Sequence, residues 1–120
     1  MRETREVTTI DLELRTQTES GWGVLEVKGE VDLYTSPQLK EKVNDLIEEG
    51  QTQLVIDLSG VGFMDSSGLG VLVTALKRAK ERGGALALVS PEGSVHKVLT
   101  ITGLDRVFPI HDSVAQATAS

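Results

Sequence analysis

The chain has 120 residues, which is close to the commonest size of a single domain. Its 18 acidic and 12 basic residues give a net charge of -6, which argues against a surface for nucleic acid or for an anionic membrane. It has no cysteine, which excludes disulfides, thiol catalysis and cysteine-ligated metals.

The sequence shows no targeting or membrane-spanning segment. Nothing approaches the roughly 18 consecutive apolar residues of a membrane span. The charged N-terminus is not followed by the apolar region of a signal peptide. We therefore expect a cytoplasmic protein with one domain over residues 1–120 and a core over about residues 7–118.

The first part of the chain predicts an antiparallel pair of strands. Apolar residues alternate with charged ones at Ile10, Leu12 and Leu14, which is typical of a half-buried strand. A polar turn over residues 16–21 leads to a second strand over residues 22–28. We expect this pair at one edge of a sheet.

The middle of the chain predicts two helices with a buried strand between them. Ser36 is expected to be the N-cap of the first helix, with Pro37 at its first position. The apolar run over residues 53–58 predicts the strand, and a loop over residues 60–65 follows it. The second helix is expected to bury one face, which comprises Leu69, Leu72, Val73, Leu76 and Ala79.

The last part predicts a strand over residues 85–89, a third helix over residues 91–101, an extended segment over residues 107–110 and a short helix capped by Asp112. The order is therefore β-β-α-β-α-β-α-β-α. Since apolar strands alternate with helices, we expect an α/β fold with a mixed sheet. The sheet should have about four to five strands, and about four helices should lie mainly on one face.

The glycine pairs do not form a nucleotide-binding motif. Gly60 and Gly62 follow a strand, but Asp65 stands where a dinucleotide fingerprint requires its third glycine. Gly68 and Gly70 fail in the same way, and no glycine-rich phosphate loop is present. We expect these glycines to serve turns and helix packing, and we predict no cofactor.

Hydrolytic and metal chemistry are poorly supported. Ser66, Asp105 and His111 formally match the order of a catalytic triad, but the glycine of a nucleophile elbow is missing. His96 and His111 are fifteen positions apart and lack the paired spacing of metal ligands. We therefore predict no catalytic residue and no metal ligand.

Asp57 offers an alternative, because it lies near the end of a predicted central strand, as in a receiver-like phospho-aspartate domain. Such a domain also needs an acidic cluster near the first strand to hold Mg²⁺. Here that strand ends in Arg15, Thr16 and Gln17. A structural role for Asp57 is the simpler interpretation, and the receiver-like alternative stays open.

Ser66 and Ser67 lie where the second helix is expected to begin. A serine at this position can cap the helix, or it can be a chemically addressable switch. One hydroxyl suffices for a cap, and Asp65 could also provide it. Gly68 and Gly70 leave room for a partner or a phosphate to approach. The residues alone leave both interpretations open.

Four segments resemble, in the same order, the STAS domains of bacterial anti-sigma factor antagonists. Residues 63–72, Phe-Met-Asp-Ser-Ser-Gly-Leu-Gly-Val-Leu, are similar to the signature of that family. Residues 29–39 resemble its Gly-Glu-Leu-Asp segment before the first helix. Residues 54–58 resemble its central strand, and residues 101–108 its late helix-to-strand segment.

The resemblance implies a STAS fold, a protein that is not an enzyme, and a partner-switching cycle. The unphosphorylated antagonist would bind an anti-sigma factor that is also a serine kinase, and sigma factor would be released. Phosphorylation of the serine after the aspartate would end binding, and a serine phosphatase would restore it. On this sequence the implied acceptor is Ser66, with Ser67 as the fallback. The implied partner-binding surface comprises Asp32, Asp65, Ser66, Ser67, Gly68 and Leu69.

A phosphate at this position should leave the fold intact. It adds about -1.5 to -2 charge at neutral pH. Free N–H groups and the dipole at a helix N-terminus favour an anion. Next to Asp65 and Asp32, however, the added charge and bulk should weaken a complex. A STAS module of structural or sensory type that is never phosphorylated remains an alternative.

Overall fold

The computed structural model describes residues 12–119. Ile10 and the predicted start of the core therefore lie outside the described residues. The elements are β1 Glu13–Glu19, β2 Trp22–Val31, α1 Ser36–Glu48, β3 Gln53–Met64, α2 Ser66–Glu81, β4 Ala85–Val89, α3 Ser94–Ile101, β5 Ile110–His111 and α4 Val114–Ala117. A short 3-10 helix, Leu104–Arg106, connects α3 to β5.

The strands form one mixed sheet in the order β1-β2-β3-β4-β5. β1 runs antiparallel to β2, whereas β2, β3, β4 and β5 are parallel to their neighbours. Each parallel connection crosses over through a helix, as the alternating pattern requires. The structure thus confirms the mixed α/β sheet and its antiparallel edge.

The helices divide unequally between the two faces of the sheet. Because side chains alternate along a strand, Leu25, Ile56 and Leu88 point to one face while their neighbours point to the other. α1, α2 and α3 cover the first face and build the main core with it. α4 covers a smaller cluster on the second face, which comprises Val24, Val55, Ala87, Val89 and Ala117. The expectation that the helices lie mainly on one face is confirmed.

β3 is longer than predicted, and the loop expected over residues 60–65 is mostly strand. β3 pairs with β4 only as far as Asp57, but it continues along β2 to the pair Val31 and Met64. Two register shifts interrupt this second stretch. A Cβ at Gly60 would lie 2.6 Å from the Lys28 Cγ atom, so this glycine permits a close strand pairing. β2 and β3 therefore end side by side, beyond the end of β4.

Two predicted helix caps are wrong. Ser36 is the first residue of α1, and Thr35 holds the N-cap position without a side-chain capping bond. The Thr35 hydroxyl is instead donated to the backbone carbonyl of Glu30, at 2.7 Å. At α4 the cap is Ser113, whose hydroxyl oxygen accepts the Gln116 N–H at 3.2 Å, rather than Asp112. α3 also begins later than predicted, at Ser94.

Three smaller expectations also fail. The polar turn predicted over residues 16–21 is shorter than expected, because β1 continues to Glu19 in its pairing with β2. Val73 is 42% exposed rather than buried, because it lies at the margin of the stripe that α2 turns inward. That stripe comprises Gly68, Leu72, Ala75, Leu76 and Ala79. The segment over residues 107–110 is not extended throughout, since the strand is confined to Ile110–His111. The 3-10 helix Leu104–Arg106 comes shortly before Phe108, and the Phe108 side chain packs in the main core.

The first turn of α2 rests directly on the ends of β2 and β3. Gly68 is buried in this contact. A Cβ there would lie 2.7 Å from the Met64 Cγ atom and 2.7 Å from the Val31 Cγ1 atom, closer than real Cβ atoms approach. The absence of a side chain at Gly68 therefore determines how near Ser66 lies to the strand ends.

We expect Gly68→Ala to lower the free energy of unfolding by about 1–2 kcal/mol. The destabilisation from overpacking at this contact should exceed the stabilisation from the higher helix propensity of alanine. Gly70→Ala is the matched control in the same helix, where a Cβ meets nothing within 4 Å. This control should be neutral or slightly stabilising. Urea denaturation measures both variants, and a Gly68→Ala variant as stable as the wild type would contradict the packing argument.

Candidate functional site

Asp65 caps α2 from the end of β3. Its side chain lies at the N-cap position, where Oδ1 accepts the Ser67 N–H at 2.8 Å and the Gly68 N–H at 3.3 Å. Its own N–H is donated to the carbonyl of Val31 at 3.1 Å, which ties the cap to the end of β2. The interpretation of Ser66 or Ser67 as the helix cap is therefore wrong.

The two serines lie in different surroundings. Ser66 is exposed, and its hydroxyl has no hydrogen-bond partner among residues 12–119. Ser67 is half-buried and lines a groove between α1 and α2. The Ser67 hydroxyl likewise has no hydrogen-bond partner among residues 12–119, so the two serines differ in exposure, and Ser66 is the more exposed.

The first turn of α2 is less open to an anion than expected. Two of its N–H groups, those of Ser67 and Gly68, already bind the carboxylate of Asp65. The expectation that these groups are free is therefore wrong. The helix dipole still favours negative charge here, but a phosphate on Ser66 would stand beside a carboxylate that holds the same N–H groups.

Asp32 closes the turn after β2 in a similar way. Its Oδ1 atom accepts the Tyr34 N–H at 2.9 Å and the Thr35 N–H at 3.0 Å. The hydroxyl oxygen of Thr35 in turn accepts the Asp32 N–H at 2.9 Å. Thr35 is only 3% exposed, so the turn is attached to the core at this residue.

These hydrogen bonds shift the ionisation of Asp32. The N–H of Thr35 is the main cause that lowers the pKa of the Asp32 carboxyl below its usual value of 3.8, and desolvation opposes it. The N–H of Tyr34 and the hydroxyl of Thr35 add to the lowering. At neutral pH Asp32 is therefore a carboxylate that organises its own loop.

The loop that Asp32 organises presents apolar side chains to solvent. Leu33 is 67% exposed and Tyr34 is 78% exposed. Phe63, on the neighbouring strand end, is 48% exposed. Sequence reasoning missed all three. The available signal was the Asp-x-x-Thr spacing around Leu33 and Tyr34, which is typical of a side-chain-closed turn.

We call residues 30–35 and 63–67 the Ser66 end of the sheet. It contains the three carboxylates of Glu30, Asp32 and Asp65, and no lysine, arginine or histidine. The longer segments 29–39 and 61–76 also contain no basic residue. The Ser66 end of the sheet therefore combines apolar side chains with negative charge, and a basic residue, Lys40, lies outside it in the groove that Ser67 lines.

The groove beside Ser67 is shallow and open, with a volume of about 260 Å³. Its lining comprises Lys40, Val43, Asn44, Ser67, Gly70, Val71, Thr74 and Ala75. Arg78 of α2 connects the two helices beside the groove. Its guanidinium donates a hydrogen bond to the Asn44 side-chain oxygen of α1 and lies 3.7 Å from the Glu48 carboxylate. This lining contains no pair of acid and base groups.

Two residues of the predicted partner-binding surface face inward. Gly68 is buried, and Leu69 is half-buried and packs against the main core. Their part in a docking surface would be to position Ser66 rather than to touch a partner. Asp32, Asp65, Ser66 and Ser67 lie together with them at the carboxyl ends of β2 and β3.

The alternative sites receive little support. The Asp57 carboxylate accepts the Ser59 N–H at 3.0 Å and also the Ser59 hydroxyl, which fits a structural role within β3. Among residues 12–119 no group of three or more histidines and carboxylates could hold a metal ion. The Nδ1 atom of His96 lies 3.0 Å from the Ser90 carbonyl. Asp105 lies in the 3-10 helix and His111 in β5, and no hydrogen bond joins either of them to Ser66.

The fold and the site define a small α/β domain that presents a capped helix start with an exposed serine. The chain belongs to the STAS domain family, whose model matches residues 13–117. Within residues 12–119 no helix is both long enough and apolar enough to span a membrane.

Several relatives are anti-sigma factor antagonists by name. The chain is 30% identical over 109 residues to the anti-sigma F factor antagonist of Paenibacillus polymyxa, which covers 90% of this chain and 93% of that protein. It is 40% identical over 84 residues to the anti-sigma-B factor antagonist of Bacillus subtilis (strain 168), which covers 70% of this chain and 76% of that protein.

A solved structure of an anti-sigma factor antagonist has the same fold as this chain. The crystal structure of an anti-sigma factor antagonist from Mycobacterium paratuberculosis superposes with a TM-score of 0.83 at 28% identity. The match covers 90% of this chain and 92% of that one. The predicted STAS fold is confirmed.

The pKa of Asp32 leads to a test of its loop. A lowered carboxyl pKa contributes stability above 3.8, and this contribution is lost as the pH falls through the lower pKa of the folded state. We expect the amide signals of Tyr34 and Thr35 to titrate with a midpoint below 3.8 in an NMR titration.

Substitution separates the charge of Asp32 from its hydrogen bonds. Asp32→Ala should speed hydrogen exchange at the Tyr34 and Thr35 amides, because their acceptor is gone. Asp32→Asn keeps an oxygen acceptor, so it should protect both amides partly and abolish the acid titration. Unchanged exchange in Asp32→Ala would show that the carboxylate does not hold this loop.

Proposed function

We propose that this chain is an anti-sigma factor antagonist that phosphorylation of Ser66 switches off. The observation that carries the proposal is the exposed, unengaged hydroxyl of Ser66 directly after the Asp65 cap. Membership of the STAS family and the names of the relatives support the antagonist role. The unphosphorylated chain binds an anti-sigma factor with serine kinase activity, and sigma factor is released.

In this proposal the chain supplies the nucleophile and the partner supplies the rest of the reaction. The Ser66 oxygen attacks the γ-phosphorus of ATP held by the kinase, the bond to ADP breaks, and the hydroxyl proton passes to a base on the kinase. An acceptor in such a reaction must reach into another protein's active site. Exposure at the first residue of a helix meets that requirement, whereas the half-buried position of Ser67 meets it less well.

The chain then acts as a substrate and a binding protein rather than as an enzyme. A serine phosphatase that hydrolyses the phosphate of Ser66 restores binding. The remaining cycle needs no nucleic acid or membrane contact by this chain, and its place is the cytoplasm. No cofactor is required on this side of the complex.

Charge explains how the phosphate weakens the complex. It brings about -1.5 to -2 charge to a surface that already carries Glu30, Asp32 and Asp65 and no basic residue. Burying that charge against the kinase requires desolvation, and the segments 30–35 and 63–67 supply no basic side chain to pair with it. Each loss of roughly 1.4 kcal/mol weakens binding tenfold, so a few such units suffice for release.

The domain itself is expected to keep its fold when Ser66 carries a phosphate. The Ser66 side chain touches no core contact that the phosphate would break, because it is exposed. Asp65 remains tied to the end of β2 through its backbone N–H. The switch therefore acts on the docking surface and requires no rearrangement of the sheet.

The test uses the chain and each anti-sigma factor kinase encoded by the same organism, all purified. With a kinase that binds the wild type, we expect Ser66→Ala to bind with similar affinity and to gain no phosphate in the presence of ATP and Mg²⁺. Ser67→Ala is the matched control and should gain one phosphoryl group. Ser66→Asp should fold and bind at least about tenfold more weakly. Intact mass and calorimetry measure these outcomes.

Each alternative has its own result. Full phosphorylation of Ser66→Ala would move the acceptor to Ser67 or elsewhere. Binding without phosphorylation of the wild type would indicate an unphosphorylated STAS module. A base-labile adduct at Asp57 after treatment with acetyl phosphate and Mg²⁺ would favour the receiver-like alternative. If no anti-sigma factor binds the wild type, the proposed function is wrong.

A further inference from the structure

The turn between β2 and α1 exposes two large apolar side chains on a well-fixed backbone. Leu33 and Tyr34 are 67% and 78% exposed. Both the side chain and the backbone of Asp32 hold the turn. Its carboxylate accepts the N–H groups of Tyr34 and Thr35, and its carbonyl accepts the Ser36 N–H at 2.8 Å. The Thr35 hydroxyl adds a third anchor at Glu30.

Holding this backbone in one conformation costs entropy, and the exposed side chains of Leu33 and Tyr34 gain no burial within the domain in return. A binding partner gains from such a fixed backbone, because the ordering cost is already met before association. The two side chains also lie at the same end of the sheet as Ser66, since β2 and β3 pair through Val31 and Met64 just before each turn. A partner that reaches Ser66 therefore meets Leu33 and Tyr34 nearby.

We propose that Leu33 and Tyr34 are the apolar anchor by which this chain docks on its kinase partner. The inference rests on the proposed function and adds an apolar docking contact to it. Asp32 is a positioning residue in this account, because its carboxylate holds the turn that carries the anchor.

Charge identifies the chemistry of the surface that receives the anchor. Glu30, Asp32 and Asp65 lie at the same end of the sheet as the apolar side chains, and residues 29–39 and 61–76 contain no basic residue. The complementary surface is an apolar recess with lysine or arginine at its rim. Tyrosine is enriched among residues that dominate binding energy, so Tyr34 should contribute more than Leu33.

The experiment measures the affinity of the kinase that binds the wild type, by calorimetry and by phosphorylation kinetics. We expect Tyr34→Ala to weaken binding about tenfold or more, and Leu33→Ala about threefold or more. Tyr34→Phe keeps the apolar ring and should stay within about threefold of the wild type. Since Ser66 is unchanged, the alanine variants should raise KM for phosphorylation and leave kcat unaltered.

Ile101→Ala is the matched control, because Ile101 is 83% exposed and lies at the far end of α3. It should bind like the wild type. Raising sodium chloride from about 0.05 to about 0.5 M should slow association, as screening of complementary charges requires. Circular dichroism should show an unchanged fold in all variants, since the hydrogen bonds of the turn involve no side-chain atom of Leu33 or Tyr34.

Three results would overturn the inference. The first is a Tyr34→Ala variant that binds within about threefold of the wild type while Ser66→Asp still abolishes binding, which would leave the proposed function intact. The second is an equal loss in Ile101→Ala, which would show that the effect is not specific to this turn. The third is a wild-type chain that binds no anti-sigma factor, which removes the proposed function and this inference together.

Discussion

The hydrogen bonds from the Ser67 and Gly68 N–H groups to the Asp65 carboxylate are the interaction on which the site depends. They satisfy two N–H groups that a helix leaves without partners at its start. Because Asp65 caps the helix, the side chain of Ser66 is not needed as a cap. Ser66 can therefore change its chemical state without removing the cap of α2.

A capping serine would behave differently. Phosphorylation of a hydroxyl that holds a helix start would replace one set of hydrogen bonds with another, and the effect would reach the helix. With Asp65 as the cap, a phosphate on Ser66 would lie beside a carboxylate that already accepts these N–H groups. The unfavourable free energy would then come from repulsion between the two negative groups at the surface. Gly68 completes the arrangement, since its lack of a side chain lets the capped turn rest on Val31 and Met64.

The same device occurs twice at this end of the sheet. Asp32 accepts N–H groups two and three positions further along the chain, and Asp65 does the same. The two aspartates follow neighbouring parallel strands that end together. One turn presents Ser66, and the other presents Leu33 and Tyr34. An exposed hydroxyl and two exposed apolar side chains thus share one end of the sheet for the same structural reason.

Much of the fold could be predicted because its signals are local. The apolar runs of β3 and β4 and the inward stripes of the helices depend on sequence periodicity alone. The family was also predictable, since four segments resemble it in the same order. The exact ends of the elements were not predictable in this way.

The misplaced caps have a common cause. Wherever a helix begins, two or three cap-forming residues stand together, as Thr35 does with Ser36 and Asp112 with Ser113. The choice between them depends on tertiary contacts, such as the bond from the Thr35 hydroxyl to the Glu30 carbonyl. Local propensity does not contain that information.

The extension of β3 was missed for a related reason. Glycine is depleted in strands, so Gly60 and Gly62 indicated a loop. In the structure Gly60 lies against Lys28 in an irregular pairing that a side chain would obstruct. The exposure of Leu33 and Tyr34 was missed because it depends on the conformation of this turn, which the hydrogen bonds of Asp32 and Thr35 hold.

The central claim is that a phosphate on Ser66 blocks a docking surface and leaves the domain unchanged. Backbone amide NMR spectra of the chain before and after phosphorylation by its kinase test this most directly. The account predicts that signals move at the Ser66 end of the sheet and in the first turn of α2, while those of β4, α3 and the far end of α1 stay in place. Shifts spread through these distant elements would contradict it, because the phosphate would then act by reshaping the fold.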